Sequence, residues 1–381
     1  MSRGVSRREA IATIGITAAT GGCLRPELGE PNSPNASEAT DDTVPPTRTD
    51  PPAVEDPWTF RGRAGMATPP TLAGELLFVG SVDNSLYALD AASGEQRWSF
   101  DVGSEPRLVR VAGDEVFVTT SREVYGLDVG SGEERFHADV GANLSRPVVT
   151  DDTIYAADDS TFYALDRSDG SEQWSFRGKG TLGYGAAERD GIIVTTDQGD
   201  VDRLPNDVST VYGLDTESGE VLWETPVEND ALISEVAFGD GVATVAGRYG
   251  LVAGFDAETG AVVWEHSVEK SGNHPQTPIT ARGRVYFTVG ATTYALEQDT
   301  GAVVWEARGG GSDVRHRDGR IYVAPNGLIV LGYDADDGRT LFEQQLDPRM
   351  ETRPPAISSA AIYYVDGGVQ AVPRDNEVQA Q

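Results

Sequence analysis

One phrase recurs through this chain. It reads YALDAASGEQRWSF from Tyr87 to Phe100 and YALDRSDGSEQWSF from Tyr163 to Phe176. Further copies start at Tyr125, Tyr212, Ala253, Tyr294, Leu331 and, degraded, Gln370, so the eight starts are spaced by 38, 38, 49, 41, 41, 37 and 39 residues. A period of this size marks one supersecondary unit that cannot bury its own faces and must be covered by its neighbours. Seven copies place an aromatic residue eleven positions after their start: Trp98, Phe136, Trp174, Trp223, Trp264, Trp305 and Phe342. The chain has six Trp; five are in this set and the sixth is Trp58, which has no phrase ahead of it.

Each unit reads as strands. Short β-branched and aromatic runs stand between Gly, Asp and Asn clusters, as in residues 74–79, 151–155 and 317–323, which is the pattern of hairpins. The position after each start is small in all eight copies: Ala88, Gly126, Ala164, Gly213, Gly254, Ala295, Gly332 and Ala371. A small residue there implies close approach by a neighbouring backbone. Residues 90–94, DAASG, make a tight turn in which Asp bonds forward to backbone N–H groups and Gly accepts φ > 0. The aromatic residue then lies on the outermost strand.

Four-stranded units bury both faces when they are arranged radially. The expected fold is all-β, an eight-bladed β-propeller of four-stranded blades. Trp58, Trp98, Phe136, Trp174, Trp223, Trp264, Trp305 and Phe342 would fill the gaps between blades. Eleven residues past Gln370 the chain reaches its last residue, Gln381, with no Trp. The last unit thus lacks an outer strand, and Trp58 lies on an outer strand without a unit. Pairing the two would close the ring and remove free sheet edges. Seven blades is the competing count, if the weak last copy is not a blade. A linear solenoid is the competing architecture, but it needs polar end caps, and none is visible.

The phrase YALDxxxGxxxW, recurring in phase from about Trp58 to Val372, resembles the repeat of the pyrroloquinoline-quinone-like β-propellers. The resemblance implies one of two classes. One is the quinoprotein dehydrogenases. The other is cofactor-free propellers, such as the lipoprotein that helps assemble outer-membrane β-barrels. The dehydrogenase class implies a vicinal Cys pair over the quinone, a flat Trp floor and carboxylate ligands for Ca²⁺. Here Cys23 is the only Cys and every Trp is assigned to blade packing. The one notable insertion, residues 198–209, counted with Asp197, Asp200 and Asp202, lacks the Glu and Gly of a calcium loop, so all three aspartates read as part of a solvated acidic loop. No HExxH, GxSxG or phosphate-loop pattern occurs, and His137 and His266 fall on outer strands. The reading is therefore no catalytic residue, no metal site and no cofactor.

Charge and the N-terminus bear on location. The formal charge is −31, with only Lys179 and Lys270 as lysines. At about 1 M salt the screening length falls to roughly 3 Å and self-repulsion nearly vanishes, so a high-salt habitat is expected. An acidic surface for a basic partner is the alternative; nucleic acid is excluded as a partner because phosphates need a basic face. Arg7 and Arg8 precede a short apolar stretch that ends in Gly21-Gly22-Cys23, which resembles a twin-arginine export signal with a lipidation site at Cys23. The apolar stretch is shorter than the about 20 residues needed to span a bilayer. The expected organisation is a lipoprotein signal at 1–22, a disordered Pro-, Thr- and acid-rich stalk at 23–56 and the propeller at 57–381, held at the outer face of the cell membrane through lipid on Cys23. Asn35 and Asn143 head glycosylation sequons.

The innermost strand of each blade should begin about eight residues before its apolar run. Arg107, Arg146, Glu235, Asp313 and Arg353 fall at those starts, with His274 and residues 315–317, RHR, nearby. In a closed ring they would surround one mouth of the central channel and could hold a ligand or a partner's segment. The functional expectation is a scaffold that binds an unidentified protein partner. A quinone-dependent dehydrogenase and a small-ligand sensor are the alternatives.

Overall fold

The computed structural model describes residues 53–141, 144, 147–182, 185–199, 208–227, 232, 234–268, 275–327, 329–346 and 354–374. These residues form eight antiparallel sheets of four strands each and one short 3₁₀ turn, Pro325–Gly327. Blade one is the pattern for all: Thr71–Ala73 innermost, then Leu76–Gly80, Ser85–Asp90 and Gln96–Asp101 outermost. Blades two to seven occupy 108–139, 148–177, 186–227, 237–267, 279–308 and 315–345 in the same order. Blade eight takes its three inner strands from 356–373 and its outermost strand, Trp58–Phe60, from the other end of the domain. Trp58 pairs with Ala371 just as Trp98 pairs with Ala88, so the closure keeps the register of an uninterrupted blade.

The small residue of each phrase has a different cause from the one the sequence suggested. A Cβ at Gly213 would lie 2.2 Å from the Trp223 ring, and one at Gly126 would lie 2.2 Å from the Phe136 ring. There and at Gly254 the space is taken by the aromatic side chain of the same blade's outermost strand, not by a neighbouring backbone; at Gly332 a Cβ would meet Tyr322 of the second strand first, at 2.9 Å. Each outermost strand of blades one to seven also carries a bulge just before its aromatic residue, as at Ala88/Leu89 and Gly213/Leu214. The extra residue turns outward and re-aims the ring inward.

Turns at the inner end follow from two-residue hairpins. Asp190-Gly191, Asp240-Gly241, Arg282-Gly283 and Asp318-Gly319 all have φ > 0 at both residues. That is the type I′ geometry, whose twist matches that of paired strands.

The apolar core is divided. Eight separate clusters are buried, one at each junction between neighbouring blades, including the junction of blades eight and one. Val54 belongs to the last of these and is 3% exposed, so the packed domain reaches into the stretch assigned to a stalk. Arg7, Arg8, Cys23 and Asn35, like Asn143, lie outside the described residues.

Candidate functional site

Two features of the ring can carry function: the junctions that make it rigid and the channel that it encloses. At six junctions an indole does the joining. Trp58, Trp98, Trp174, Trp223, Trp264 and Trp305 donate their ring N–H to the carbonyls of Ala91, Val129, Thr216, Ala257, Gln298 and Ala335, at 2.7–3.2 Å. Each acceptor belongs to the next blade and follows the turn-forming Asp or Glu of its phrase. The same ring lies against the turn glycine of that blade: a Cβ at Gly219, whose φ is +71°, would sit 2.5 Å from Trp174. That glycine is thus required twice, by its backbone conformation and by the ring above it.

Phe136 and Phe342 have no N–H to give. At Phe136, Arg167 of blade three spans the junction. Its Nε donates to Glu115 Oε2 at 2.6 Å, its Nη2 to the Ala112 carbonyl at 2.9 Å and its Nη1 to the Thr150 carbonyl at 2.7 Å. Glu115 is buried and also meets Arg135 at 3.2 Å, so its charge is paired on both oxygens. At Phe342, Arg374 lies over the rings of Phe342 and Tyr322 at 5.0 and 5.3 Å. Gln344 completes that junction with a bond to the Pro373 carbonyl at 3.0 Å.

The innermost strands surround a cavity of about 580 Å³ to which all eight blades contribute. Thr71 and Thr280 stitch neighbouring strands by donating to the carbonyls of Val109 and Phe238 at 3.3 and 2.6 Å. Arg110 of blade two reaches Glu235, which precedes blade five, at 3.8 Å, an ion pair that crosses the channel. Gly185 leaves room for the Glu235 side chain: a Cβ there would meet its Cγ at 2.8 Å. Near the other end of the strands, burial pushes the Glu188 carboxyl above its usual range despite its contact with the Gly191 N–H. Arg317 is buried and bonds to the carbonyl of Ile357 in the next blade at 3.2 Å.

Of the residues expected around the channel, Glu235 and Asp313 line the cavity, Asp313 within 3.9 Å of Arg315. Arg107 is exposed just ahead of its strand and outside the lining. Arg146, Arg353 and His274 lie outside the described residues. Arg110, Glu188 and Arg189 line the cavity and were not singled out. A signal for Arg110 existed: Val109 and Val111 flank it and are buried, so strand alternation turns Arg110 the other way.

Asp197 corrects the reading of a solvated acidic loop. It is fully buried, and it accepts from the backbone N–H groups of Lys179, Gly180 and Thr210 and from the Tyr212 hydroxyl, at 2.8–2.9 Å. Its oxygens serve the fold of blade four. Asp200 and Asp202 lie outside the described residues. Among the described residues no group of three His, Cys, Asp or Glu side chains is placed to hold a metal. Among the described residues no Trp lines the cavity, so these residues do not form the flat floor that the dehydrogenase resemblance implies.

The chain matches no curated protein sequence. Among solved structures it resembles BamB from Moraxella catarrhalis, with 16% identity over 84% of this chain and 98% of that one and a TM-score of 0.66. It resembles the computationally designed Ika8 protein with 12% identity, the same coverage and a TM-score of 0.69. Quinohemoprotein alcohol dehydrogenase from Comamonas testosteroni matches with 12% identity over 86% of this chain and 78% of that one, at a TM-score of 0.63. These likenesses carry the fold alone. A family match is broader, in overlapping segments 55–113, 103–245, 207–317 and 250–380. With that match spanning the whole ring, the chain belongs to the PQQ-like propeller family described as outer membrane protein assembly factor BamB.

Proposed function

We propose that this protein is an exported, lipid-anchored propeller that binds other proteins as a scaffold and carries out no chemistry of its own. The observation that supports this most is the family match across all eight blades, in a ring whose repeated residues are spent on joining one blade to the next. A rigid closed ring offers a wide surface at small ordering cost, which favours association. Lipid on Cys23 would hold it at the outer face of the cell membrane. Two acyl chains are needed for stable anchoring, since one gives only marginal binding. The test is cross-linking on intact cells, followed by isolation of the propeller. Specific, reproducible protein partners are expected, and Cys23→Ala should release the protein to the medium. Absence of any specific cross-linked partner would contradict the scaffold reading. Reduction of a dye on addition of quinone, Ca²⁺ and an alcohol would replace it with the dehydrogenase reading.

A second reading, a small-ligand sensor, is favoured by the cavity. Its volume of about 580 Å³ falls in the range of about 300–1,000 Å³ typical of ligand pockets. A ligand that displaces the Arg110–Glu235 pair would have to replace its electrostatics, so a zwitterion suits the channel better than an apolar molecule. Thermal-shift screening against a zwitterion library tests this reading.

A further inference from the structure

The outer rim is not uniform. Of the six large hydrophobic side chains that stand exposed among the described residues, five are Val221, Leu222, Val262, Val263 and Val303. All five lie at the start of the outermost strands of blades four, five and six. The bulge residue is Arg97 in blade one and Arg135 in blade two, where it pairs with the turn aspartate, Asp90 or Asp128, at 2.6 Å. In blades four and five the same position is Leu222 and Val263, about half exposed. One arc of the ring has therefore exchanged a charged, self-paired rim for an aliphatic one.

Two further features of this arc specify what could cover it. The outermost strands Val221–Val227, Val262–Ser267 and Val303–Arg308 are sheet edges, and no described strand pairs with their outer side. An unpaired edge is a template for an added strand. One residue past each Trp stands an exposed glutamate: Glu224, Glu265 and Glu306. Each edge thus presents aliphatic side chains beside a carboxylate; Glu224 also pairs with Lys179 at 2.7 Å, so a partner's cation would compete with Lys179 in blade four.

We propose that the rim of blades four to six is a docking surface for an extended segment of a partner protein in which aliphatic residues alternate with lysine or arginine. Backbone bonds to the edge would supply affinity, and the aliphatic and carboxylate positions would select the segment. A second copy of this chain fits poorly, because edge-to-edge pairing would bring together two carboxylate-bearing edges of a chain whose net charge is −31. The proposal rests on the scaffold reading and names the surface and the partner chemistry.

The test uses the full chain and a fluorescent octapeptide of alternating valine and lysine. An octapeptide of alternating serine and lysine controls for charge, which matters in a protein of −31. The valine–lysine peptide is expected to bind at least ten-fold more tightly than the control. It should slow amide exchange in the three aliphatic strands and leave Gln96–Asp101 and Glu134–Asp139 unchanged. The triple variant Leu222→Arg, Val263→Arg, Val303→Gln, which copies residues that blades one and two carry at these positions, should lose at least ten-fold in affinity. If that variant unfolds, L222Q and V263Q alone, after Gln173 of blade three, should each weaken binding. Equal binding of the two peptides, protection elsewhere on the ring, undiminished binding by the folded variants, or a rim-mediated dimer in sedimentation would each overturn the proposal. Cellular cross-linking separates the two readings. Partners retained by the triple variant sink the rim proposal and spare the scaffold. A wild-type chain that gains no specific partner sinks the scaffold, whatever the peptide does.

Discussion

Six junctions of this ring are closed by an indole and two by a phenyl ring, and the two kinds are held by different physics. An indole brings its own hydrogen bond, so the junction needs only a carbonyl and a glycine from the next blade. A phenyl ring fills the same gap without a polar handle, and at both places an arginine from the following blade spans the seam instead. At Phe136 that arginine, Arg167, is committed to a buried carboxylate and two carbonyls. At Phe342, Arg374 lies over two aromatic faces and donates to the Ser358 carbonyl. A repeat fold can thus lose its signature residue at one blade if the neighbour supplies a longer arm. The cost is dependence on a charged side chain at the seam, a dependence that the Trp305 junction shares, since Arg284 of blade six meets Asp336 and the Ala335 carbonyl of blade seven there.

The largest effect should come from emptying an indole junction. Trp223→Ala removes a buried ring that fits over Gly260 and bonds to Ala257, and should destabilise the domain by about 3–5 kcal/mol in denaturant unfolding. Trp223→Phe keeps most of the volume and loses the bond. It should cost only about 1–3 kcal/mol, including the orphaned carbonyl. If the two substitutions cost the same, the hydrogen bond is irrelevant and the contrast between junctions fails.

Breaking a phenyl junction should cost slightly less than emptying an indole one, by a different route. Arg167→Ala leaves Glu115, which is buried, with Arg135 as its remaining partner, and should cost about 3 kcal/mol. Adding Glu115→Gln should recover part of the loss, since the buried charge is then gone. No recovery in the double variant would show that Arg167 acts through its bonds to the Ala112 and Thr150 carbonyls and its position over the Phe117 ring, 5.4 Å away, and not through the Glu115 charge.

The smallest effect concerns the turns beneath the indole junctions. The Ser131 backbone N–H and the Arg135 guanidinium hold the Asp128 carboxyl down to about 2. The Ser218 and Thr259 hydroxyls, with backbone N–H groups, hold Asp215 and Asp256 below their usual range. These groups bind fewer protons folded than unfolded near pH 3–4. They therefore stabilise the fold above about pH 4, and for Asp128 that contribution is lost as pH falls toward 2. A melting temperature that declines between pH 4 and 2, with Asp128→Asn flattening part of the decline, would match this. A profile unaffected by the substitution would not.

Much of the ring was legible because its cause is local and repeated. Eleven residues separate seven of the starts from their aromatic residue, so the odd Trp58 and the degraded last phrase could be matched by counting. The role of Arg167 was also within reach. Residues after the turn-forming acid read Ala91, Val129, Arg167, Thr216, Ala257, Gln298 and Ala335, and the single arginine in that column follows the single phenylalanine among the first four outer strands of the phrases. The channel was less legible. Innermost strands run only two to five residues and share no word. Aligning them by distance from the apolar run placed Arg107 ahead of its strand and passed over Arg110. The ion pair between Arg110 and Glu235 joins blades two and five, a contact set by closure of the ring and not by any neighbouring residues in the chain.

Closure by the two ends of the domain is the claim on which the junctions, the channel and the rim all depend. Thr59 and Gln370 face each other across that seam, and Cys23 is the chain's only cysteine. In a Cys23→Ser background, Thr59→Cys with Gln370→Cys should oxidise readily to an intramolecular disulfide, seen as a cross-linked peptide by mass spectrometry. A pair shifted by one residue, Thr59→Cys with Ala371→Cys, should link far less. Failure of the registered pair to link in the folded protein, or equal linking of the shifted pair, would mean that the ring does not close as described.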